Sequence, residues 1–371
     1  GEWAGTMCLT EPHCGSDLGM LRTRAEAQAD GSYRITGTKI FISAGEHDLT
    51  DNIVHMVLAR VENAPAGTQG ISLFIVPKFD VDADGNLDGL NAVHCGAIEH
   101  KMGIRASATA VLNFDGARGS LVGEENRGLN QMFIMMNVAR IGTAIQGLTV
   151  AESALQRAVS YASERLQMRS LSGAKNPDGP ADPIIVHPDV RRMLLTQKAF
   201  AEGNRAFIYW LLQQVDISVG QAEEGRERVA ATLELLTPIA KAFVTETGVE
   251  CANLAMQCFG GHGYIREHGV EQIVRDARIS TVYEGTTGIQ ALDLLGRKVL
   301  ADGGKQLSEL GAQIVGDCQS RRQSPELESM ADQLIALVQD LHELTGEVGK
   351  RAARDPDEVG AASVDYLMFC G

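Results

Sequence analysis

A single carboxylate, Glu284, lies in a short stretch whose composition is typical of a turn before a helix. The stretch from Ser280 to Gln290 reads STVYEGTTGIQ, so the acid stands between an aromatic ring and a glycine. Gly285 permits backbone angles that other residues avoid, and Thr286 or Thr287 can cap a helix. Apolar residues then recur at helical spacing, at Ile289, Leu292, Leu295 and Val299. Such a turn can hold a general base, and a solvated loop acid would have the same local sequence.

A loop rich in polar groups precedes the first predicted strands. In CLTEPHCGSD, residues 8–17, a proline and a glycine frame Thr10, Ser16 and Asp17. Hydroxyl and backbone N–H groups in an irregular loop can bind the edge of a heteroaromatic ring and a phosphate. The same composition is also common in loops with a purely structural role.

An aromatic ring and a hydroxyl share one face of the next segment. In GTKIFISAG, residues 37–45, Phe41 and Ser43 are two positions apart on a predicted strand and therefore face the same side. That face can line a flat cofactor, or Phe41 can belong to the core.

Glycines cluster in QCFGGHGYIRE, residues 257–267. Gly260 and Gly261 can end a helix, or they can let the backbone approach a nucleotide. The spacing is not GxGxxG after a strand, which excludes the Rossmann fingerprint. The segment VRDARIS, residues 274–280, then leads into the turn that carries Glu284.

Cysteine and histidine spacing predicts no metal site. His94, Cys95 and His100 lie close in sequence, but a tetrahedral zinc site needs a fourth ligand. The seven cysteines are scattered and form no CxxC pair. An odd, dispersed set without an export signal is typical of reduced thiols, so we expect a cytoplasmic protein.

Bulk composition narrows the classes of partner. The chain has 371 residues, 44% hydrophobic and 22% charged, with a formal net charge of −15. The negative charge argues against a nucleic acid or an anionic membrane surface as the main partner. The longest apolar runs are shorter than the ~18 residues of a membrane span, so no span is expected.

Two patterns divide the chain near residue 118 and predict an α+β fold. Alternating segments before it predict strands at 33–43, 53–61, 70–78 and 109–115. The polar stretch 80–89 lacks the glutamate that closes a calcium-binding loop, so it is interpreted as a hairpin loop.

Helical spacing follows residue 118. It predicts helices at 128–168, at 189–215, after Glu284, and at 305–318 and 325–349. Within 226–258 it predicts two helices, the second of which starts at Thr237-Pro238. The run after Gly303 is more polar and is interpreted as a separate appendage. Both ends of the sequence have the appearance of cuts, so we expect a fragment of a longer protein.

Taken together, these blocks resemble the acyl-CoA dehydrogenase family. The motifs TEPxxGSD, GTKIFIS, QxxGGxGY and RDARIxxxYEGT occur in the family's order and spacing, between about Met7 and Val299. The resemblance implies a middle, antiparallel β domain at 1–118, a four-helix-bundle domain with the catalytic base at 119–302, and a truncated helical extension at 303–371. It also implies that the family's N-terminal helical domain lies outside this sequence.

The resemblance further implies FAD as cofactor, an acyl-CoA substrate and a homodimer or homotetramer. The implied cofactor-binding residues are Leu9, Thr10, Ser16, Phe41, Ser43, Arg165, Gln167, Gln257, Gly260, Gly261 and Thr286. Among these, the segments around Arg165 and Gln257 would reach the FAD of a neighbouring subunit. The implied substrate-binding residues are Ser16, Asn137, Arg140, Tyr283 and Gly285.

By the same resemblance, Glu284 matches the catalytic base. It would remove the α-proton of the thioester while the β-hydrogen leaves as a hydride to flavin N5, giving the trans-2-enoyl-CoA. Some family members carry the base on the long helix, immediately before the arginine that matches Arg140. Ala139 occupies that position here and cannot accept a proton, so Glu284 is the one candidate.

The appendage and the loop at 172–183 resemble a subgroup of larger bacterial members. That subgroup includes dehydrogenases of 3-methylmercaptopropionyl-CoA, from dimethylsulfoniopropionate degradation, and others that act on ordinary fatty acyl chains. An electron-transfer flavoprotein is the expected electron acceptor. An acyl-CoA oxidase, which passes electrons to oxygen, and a non-catalytic flavin-binding protein of the same fold are the alternatives.

Overall fold

Up to Leu121 apolar and polar residues alternate, and the chain forms strands. After Leu121 apolar residues recur every three or four positions, and the chain forms helices. The computed structural model describes the backbone of residues 1–220 and 223–371 and the side chains of 1–220 and 226–371. These residues form two compact units, 1–138 and 139–371.

The first unit is built mainly from strands. They are β1 Trp3–Cys8, β2 Arg24–Ala27, β3 Tyr33–Ser43, β4 Asn52–Val61, β5 Ser72–Pro77, β6 Phe79–Val81, β7 Leu87–Leu90, β8 Val93–Ile98 and β9 Thr109–Leu121. The four predicted strands are confirmed as β3, β4, β5 and β9. The predicted hairpin loop is also confirmed, because β6 pairs with β7 around it.

Seven strands of this unit form one sheet. Their order is β1-β4-β2-β3-β9-β5, β8 pairs with β9, and an additional β4–β5 pairing closes a ring of strands. The sheet is largely antiparallel, as predicted, although β1 and β2 run parallel to β4. Alternate side chains of the ring fill its interior, where Val57, Phe74 and Phe114 are fully buried.

The second unit is helical. The helices of the chain are α1 Gly128–Glu164, which begins in the first unit, α2 Pro188–Gly220, α3 Glu223–Phe259, α4 Val270–Ala277, α5 Thr287–Leu292, α6 Lys305–Arg321, α7 Glu328–Ala352 and α8 Asp357–Cys370. A π-helix, Asp293–Leu300, continues α5 directly. The predicted existence of the long helices is confirmed, and α1 ends four residues earlier than predicted.

The prediction of a helix start at Thr237-Pro238 is wrong. Pro238 lies inside the continuous helix α3. A proline removes one intrahelical hydrogen bond, but buried side chains before and after it, including Leu235 and Ile239, pack into the same core. This packing holds both halves of α3 in one helix.

The run after Gly303, which was interpreted as a separate appendage, packs against the rest of the second unit. Leu307, Val348, Tyr366 and Leu367 are buried in the same core as residues of α1, α2 and α3. The Tyr366 hydroxyl lies 2.7 Å from the Thr345 hydroxyl, which satisfies the polar end of a fully buried ring. The C-terminal helices therefore complete the core of the second unit.

Two glycines bring the backbones of α1 and α3 into contact. A Cβ atom on Gly147 would lie 2.5 Å from the carbonyl oxygen of Val244, and one on Gly248 would lie 2.6 Å from the carbonyl oxygen of Gly147. Such distances leave no room for any side chain. The two helices therefore approach as closely as their main chains allow.

Helix α1 is long and apolar enough, by length and composition alone, to cross a membrane. Core helices of globular bundles meet the same criterion, and α1 contributes Ala144, Leu148, Ala151 and Ala154 to the helical cores. The seven cysteines are free, and Cys8, Cys14, Cys251, Cys258 and Cys318 are buried.

Candidate active site

Glu284 lies in a left-handed turn between a 3₁₀ helix, Arg278–Thr281, and α5. Its φ is 54° and that of Gly285 is 88°. Thr286 caps α5, since its hydroxyl oxygen accepts a hydrogen bond of 3.2 Å from the Ile289 amide. Glycine adopts positive φ freely, whereas a glutamate there is held by its surroundings, which makes the turn a candidate functional element.

Side chains from two helices hold the carbonyl groups of this turn. The Lys241 ammonium on α3 donates a hydrogen bond of 2.6 Å to the Gly285 carbonyl. The Gln290 amide on α5 donates one of 2.9 Å to the Glu284 carbonyl. Lys241 and Gln290 are both fully buried. The backbone from which the Glu284 side chain projects is therefore held at two successive carbonyl groups.

Burial and two cations act in opposite directions on the Glu284 carboxyl. Burial raises its pKa above the ordinary value of 4.5, and the charges of Arg140 and Lys241 partly oppose this rise. Arg140 itself pairs with Asp293 at 3.2 Å, and both side chains are largely buried. A half-buried carboxyl with a raised pKa is a stronger proton acceptor than one in water.

The ring next to the base is also anchored. The Tyr283 hydroxyl donates a hydrogen bond to the Gln146 side chain on α1. Burial and the nearby Glu284 carboxylate raise the pKa of the Tyr283 phenol, so it remains a neutral donor at physiological pH.

The structure thus brings together Glu284, Tyr283, Gly285 and Thr286 with Arg140 on α1. Sequence reasoning missed Lys241 and Gln290, which hold the turn. The available signal for Lys241 was a lone lysine inside the apolar run PIAKAFV of a predicted helix. A charge in such a run is usually buried with a partner, but the sequence does not show which partner.

A second cluster lies in the first unit, where the loop after β1 is tied to β3. The Lys39 ammonium donates hydrogen bonds of 2.9 Å to the Leu9 carbonyl and to the Glu11 carboxylate. The Ile40 amide donates one of 2.9 Å to the Thr10 carbonyl. Leu9 and Thr10 therefore lie beside the strand that carries Phe41.

This cluster fits a flat ring with polar edges. Phe41 has a φ of 60°, at an irregularity in β3, and the residue is 60% exposed. Ser16 and Ser43 are also exposed, and among the described residues their hydroxyls have no hydrogen-bond partner. An exposed ring with uncommitted hydroxyls is the kind of surface that a flavin requires.

A third set of predicted residues lies on the surface of the helices. Arg165, Gln167 and Gln257 are exposed, as is Asn137 on α1. Gly260 and Gly261, which follow Gln257 closely, also lie at the surface, and a Cβ atom on either would meet nothing within 4 Å. These positions are accessible to a neighbouring molecule, and their predicted contacts with FAD and the CoA portion stay predictions.

One group of side chains has the proximity of a metal-ligand set. Among the residues whose side chains are described, Glu11, His13 and Cys14 have ligand atoms within 4.8 Å of one another. Glu11, however, accepts hydrogen bonds from two backbone amides, from Thr23 and from the buried Lys39 ammonium. A cation would have to displace these donors, so we interpret the group as structural.

The fold and the Glu284 turn together define the class of protein, and the chain belongs to the acyl-CoA dehydrogenase family. Residues 6–117 match the family model "Acyl-CoA dehydrogenase, middle domain", and residues 126–300 match "Acyl-CoA dehydrogenase, C-terminal domain". Residues 310–371 match "Acetyl-CoA dehydrogenase C-terminal like".

Among individual proteins, the chain is 47% identical to 3-methylmercaptopropionyl-CoA dehydrogenase of Ruegeria pomeroyi, over its whole length. It is 37% identical to the broad-specificity linear acyl-CoA dehydrogenase FadE5 of Mycobacterium tuberculosis, again over its whole length. The chain spans 63% of the length of each of these relatives.

The fold is also that of a solved structure, Caenorhabditis elegans ACDH-11 in complex with C11-CoA. The TM-score is 0.81 at 22% identity, over 98% of this chain and 58% of that one. At this identity the likeness concerns the fold alone.

Proposed function

We propose that the protein to which this chain belongs oxidises an acyl-CoA thioester to the trans-2-enoyl-CoA, with FAD as cofactor. The observation that carries the proposal is Glu284, a half-buried carboxylate in a left-handed turn beside Arg140 and Lys241. Its raised pKa suits the removal of a weakly acidic α-proton. Membership of the acyl-CoA dehydrogenase family supports both the reaction and the cofactor.

In this reaction Glu284 accepts the α-proton on a carboxylate oxygen, and the electron pair of the C–H bond forms the new double bond. Tyr283, whose hydroxyl is hydrogen-bonded to Gln146, precedes the base directly in the turn. FAD, when bound, supplies the acceptor for the hydride that leaves the β-carbon. Phe41 and the hydroxyls of Thr10 and Ser43 are the groups of the first unit that would hold its ring system.

As substrate we propose 3-methylmercaptopropionyl-CoA, on the strength of the relative that is 47% identical. FadE5 acts on linear acyl-CoA by its name, so linear thioesters are the comparison set. For the electron acceptor we propose an electron-transfer flavoprotein, as expected from the family resemblance, and for the assembly a homodimer or homotetramer.

Anaerobic reduction of the bound flavin tests the reaction directly. The full-length protein, loaded with FAD, is titrated with 3-methylmercaptopropionyl-CoA, butyryl-CoA and octanoyl-CoA while the flavin absorbance is recorded. We expect the first thioester to bleach the flavin at the lowest concentration and Glu284→Gln to abolish bleaching with flavin still bound. Glu250→Gln, an exposed acid on α3, is the matched control and should bleach normally.

The pH dependence provides a second test of the base. Because burial raises the pKa of Glu284, the rate of bleaching should fall on acidification at a pH above the ordinary glutamate value of 4.5. A flavin that no thioester bleaches would overturn the proposed reaction. Rapid oxygen consumption during turnover would show that the protein is an acyl-CoA oxidase and not a dehydrogenase.

A further inference from the structure

Lys241 is a fully buried lysine near the middle of α3, among apolar neighbours that do not stabilise a charge. Its neighbours Ala240 and Ala242 are fully buried as well. Burial lowers the pKa of its ammonium to about 8, while Glu284 and Glu246 partly oppose this decrease. A buried ammonium is costly unless it is hydrogen-bonded or paired.

The hydrogen bond that Lys241 makes is directed at the turn of the candidate base. Its ammonium donates to the Gly285 carbonyl at 2.6 Å, and Gln290 donates to the Glu284 carbonyl at 2.9 Å. The peptide groups on both sides of the Glu284–Gly285 turn are thus held from outside the turn. A left-handed glutamate needs such support, because its backbone conformation is unfavourable by about 1 kcal/mol or more.

The charges around Lys241 make its ammonium available to Glu284. Arg140 is already paired with Asp293 at 3.2 Å. Glu246 accepts a hydrogen bond from the Thr287 hydroxyl. Within the described residues, Lys241 has no ion pair within 4.0 Å, and its hydrogen bond goes to an uncharged carbonyl.

The close crossing of α1 and α3 makes this arrangement rigid. The backbone of α1 meets Val244 and Thr245 of α3 at Gly147, one turn beyond Lys241. Side-chain repacking between the helices cannot change their separation there. The ammonium is therefore presented to the turn from a fixed backbone.

We propose that Lys241 is a positioning residue for the base: its ammonium holds the left-handed turn at Gly285 and favours the charged form of the Glu284 carboxylate. That Glu284 is the catalytic base rests on the proposed function. The hydrogen bond from Lys241 and the effect of its charge on the Glu284 carboxyl do not depend on that function. Two neutral substitutions separate the two roles. Lys241→Gln retains a donor without the charge, and Lys241→Met removes both.

Titration of the Glu284 carboxyl measures the charge effect without catalysis. The full-length protein with FAD is labelled with ¹³C-glutamate, and the carboxyl band of Glu284 is identified in infrared difference spectra as the band that Glu284→Gln removes. We expect Lys241→Gln and Lys241→Met each to raise the pKa of Glu284, because one of the two positive charges that lower it, Arg140 and Lys241, is lost. Lys305→Met, at a 77% exposed side chain, is the control and should leave it unchanged.

The kinetics of flavin bleaching measure the positioning effect. Lys241→Met should lower the limiting rate about tenfold below Lys241→Gln, with little change in the thioester concentration at half-maximal rate, because the turn loses its donor. If the neutral variants do not fold, the reciprocal titration decides. In ¹⁵N-lysine-labelled protein, Glu284→Gln should lower the pKa of Lys241 further below about 8.

A Glu284 titration that is the same in wild type and both neutral variants would overturn the role of Lys241, as would a Lys241 titration unmoved by Glu284→Gln. The failure of the proposed function is distinguishable. In that case no thioester bleaches wild-type flavin, while the infrared titration still reports the coupling between Lys241 and Glu284.

Discussion

Removal of the Lys39 ammonium should destabilise the first unit more than the loss of any exposed charge there. Lys39 is fully buried and Glu11 is 3% exposed, and their charged atoms are 2.9 Å apart. The Lys39→Met variant leaves Glu11 ionised among its remaining donors, Thr23 and two backbone amides. The loop that carries Leu9 and Thr10 loses one of its hydrogen bonds to β3 at the same time.

The magnitude follows from the burial of the pair. Breaking a buried ion pair by removing one partner costs about 3–5 kcal/mol, because the other charge stays buried. With a urea m-value of about 2 kcal/mol/M for a small unit, the unfolding midpoint should fall by about 2 M. Arg118→Met, which breaks an exposed pair with Asp30, is the control and should cost no more than about 1 kcal/mol.

The two tryptophans allow the first unit to be followed by itself. Trp3 lies on β1 and Trp210 on α2, so Trp210→Phe leaves Trp3 as the reporter of the first unit. Urea unfolding is then recorded by tryptophan fluorescence for Lys39→Met, Glu11→Gln and the double variant. We expect the double variant to be less destabilised than the sum of the single ones by at least about 2 kcal/mol.

Additivity within about 0.5 kcal/mol would refute the coupling of the two charges. The pH dependence offers an independent check. Burial alone would raise the pKa of Glu11, but the Lys39 charge and the hydrogen bonds to its carboxylate hold it below 4.5. Its contribution to stability is therefore present above pH 4.5 and is lost as the pH falls through the lowered pKa. Glu11→Gln should remove this part of the acid sensitivity.

Four further substitutions test the helical unit. Gly147→Ala should lower the unfolding free energy by about 1–3 kcal/mol, because the new methyl group would clash with Val244. Gly142→Ala, on the same helix but next to open space, should raise the unfolding free energy by about 0.5–1 kcal/mol. Urea unfolding followed by circular dichroism measures both changes. The Asp182 carboxylate accepts hydrogen bonds from three backbone amides and has a pKa of about 2. Asp182→Asn removes the charge that strengthens these hydrogen bonds, so trypsin cleavage in this loop should accelerate about tenfold. Pro238→Ala restores an intrahelical donor in α3 and should raise Tm in calorimetry; an unchanged or lower Tm would show that the proline ring packs favourably.

Local features of the site were predictable from the sequence because their causes are local. Gly285 was expected to adopt an unusual backbone angle and Thr286 or Thr287 to cap the next helix; Gly285 has a positive φ, and Thr286 is the cap. The hydrogen bond from Lys241 joins residues 44 positions apart, so no local pattern could indicate it. The left-handed backbone angle of Glu284 could not be predicted from the local sequence either, because tertiary contacts hold it.

The same distinction applies to the fold. The alternation in β3 predicts its bounds, but β1, WAGTMC, has little alternation and is a strand because it pairs in parallel with β4. The local signal at Thr237-Pro238 favoured a helix start, and burial on both sides prevailed over it. The polar run after Gly303 hides a few buried side chains, such as Tyr366, that complete the helical core.

The buried cysteines give both units a native set of chemical probes. Cys8 and Cys14 are buried in the first unit, and Cys251, Cys258 and Cys318 in the second. Burial raises the pKa of Cys8 and of Cys251 to about 12, so neither is a thiolate at neutral pH in the closed state. Their alkylation requires local opening, and its rate reports the free energy of that opening. Mass-spectrometric mapping of alkylation over time would therefore rank the segments of the wild-type protein by local stability, with no introduced label.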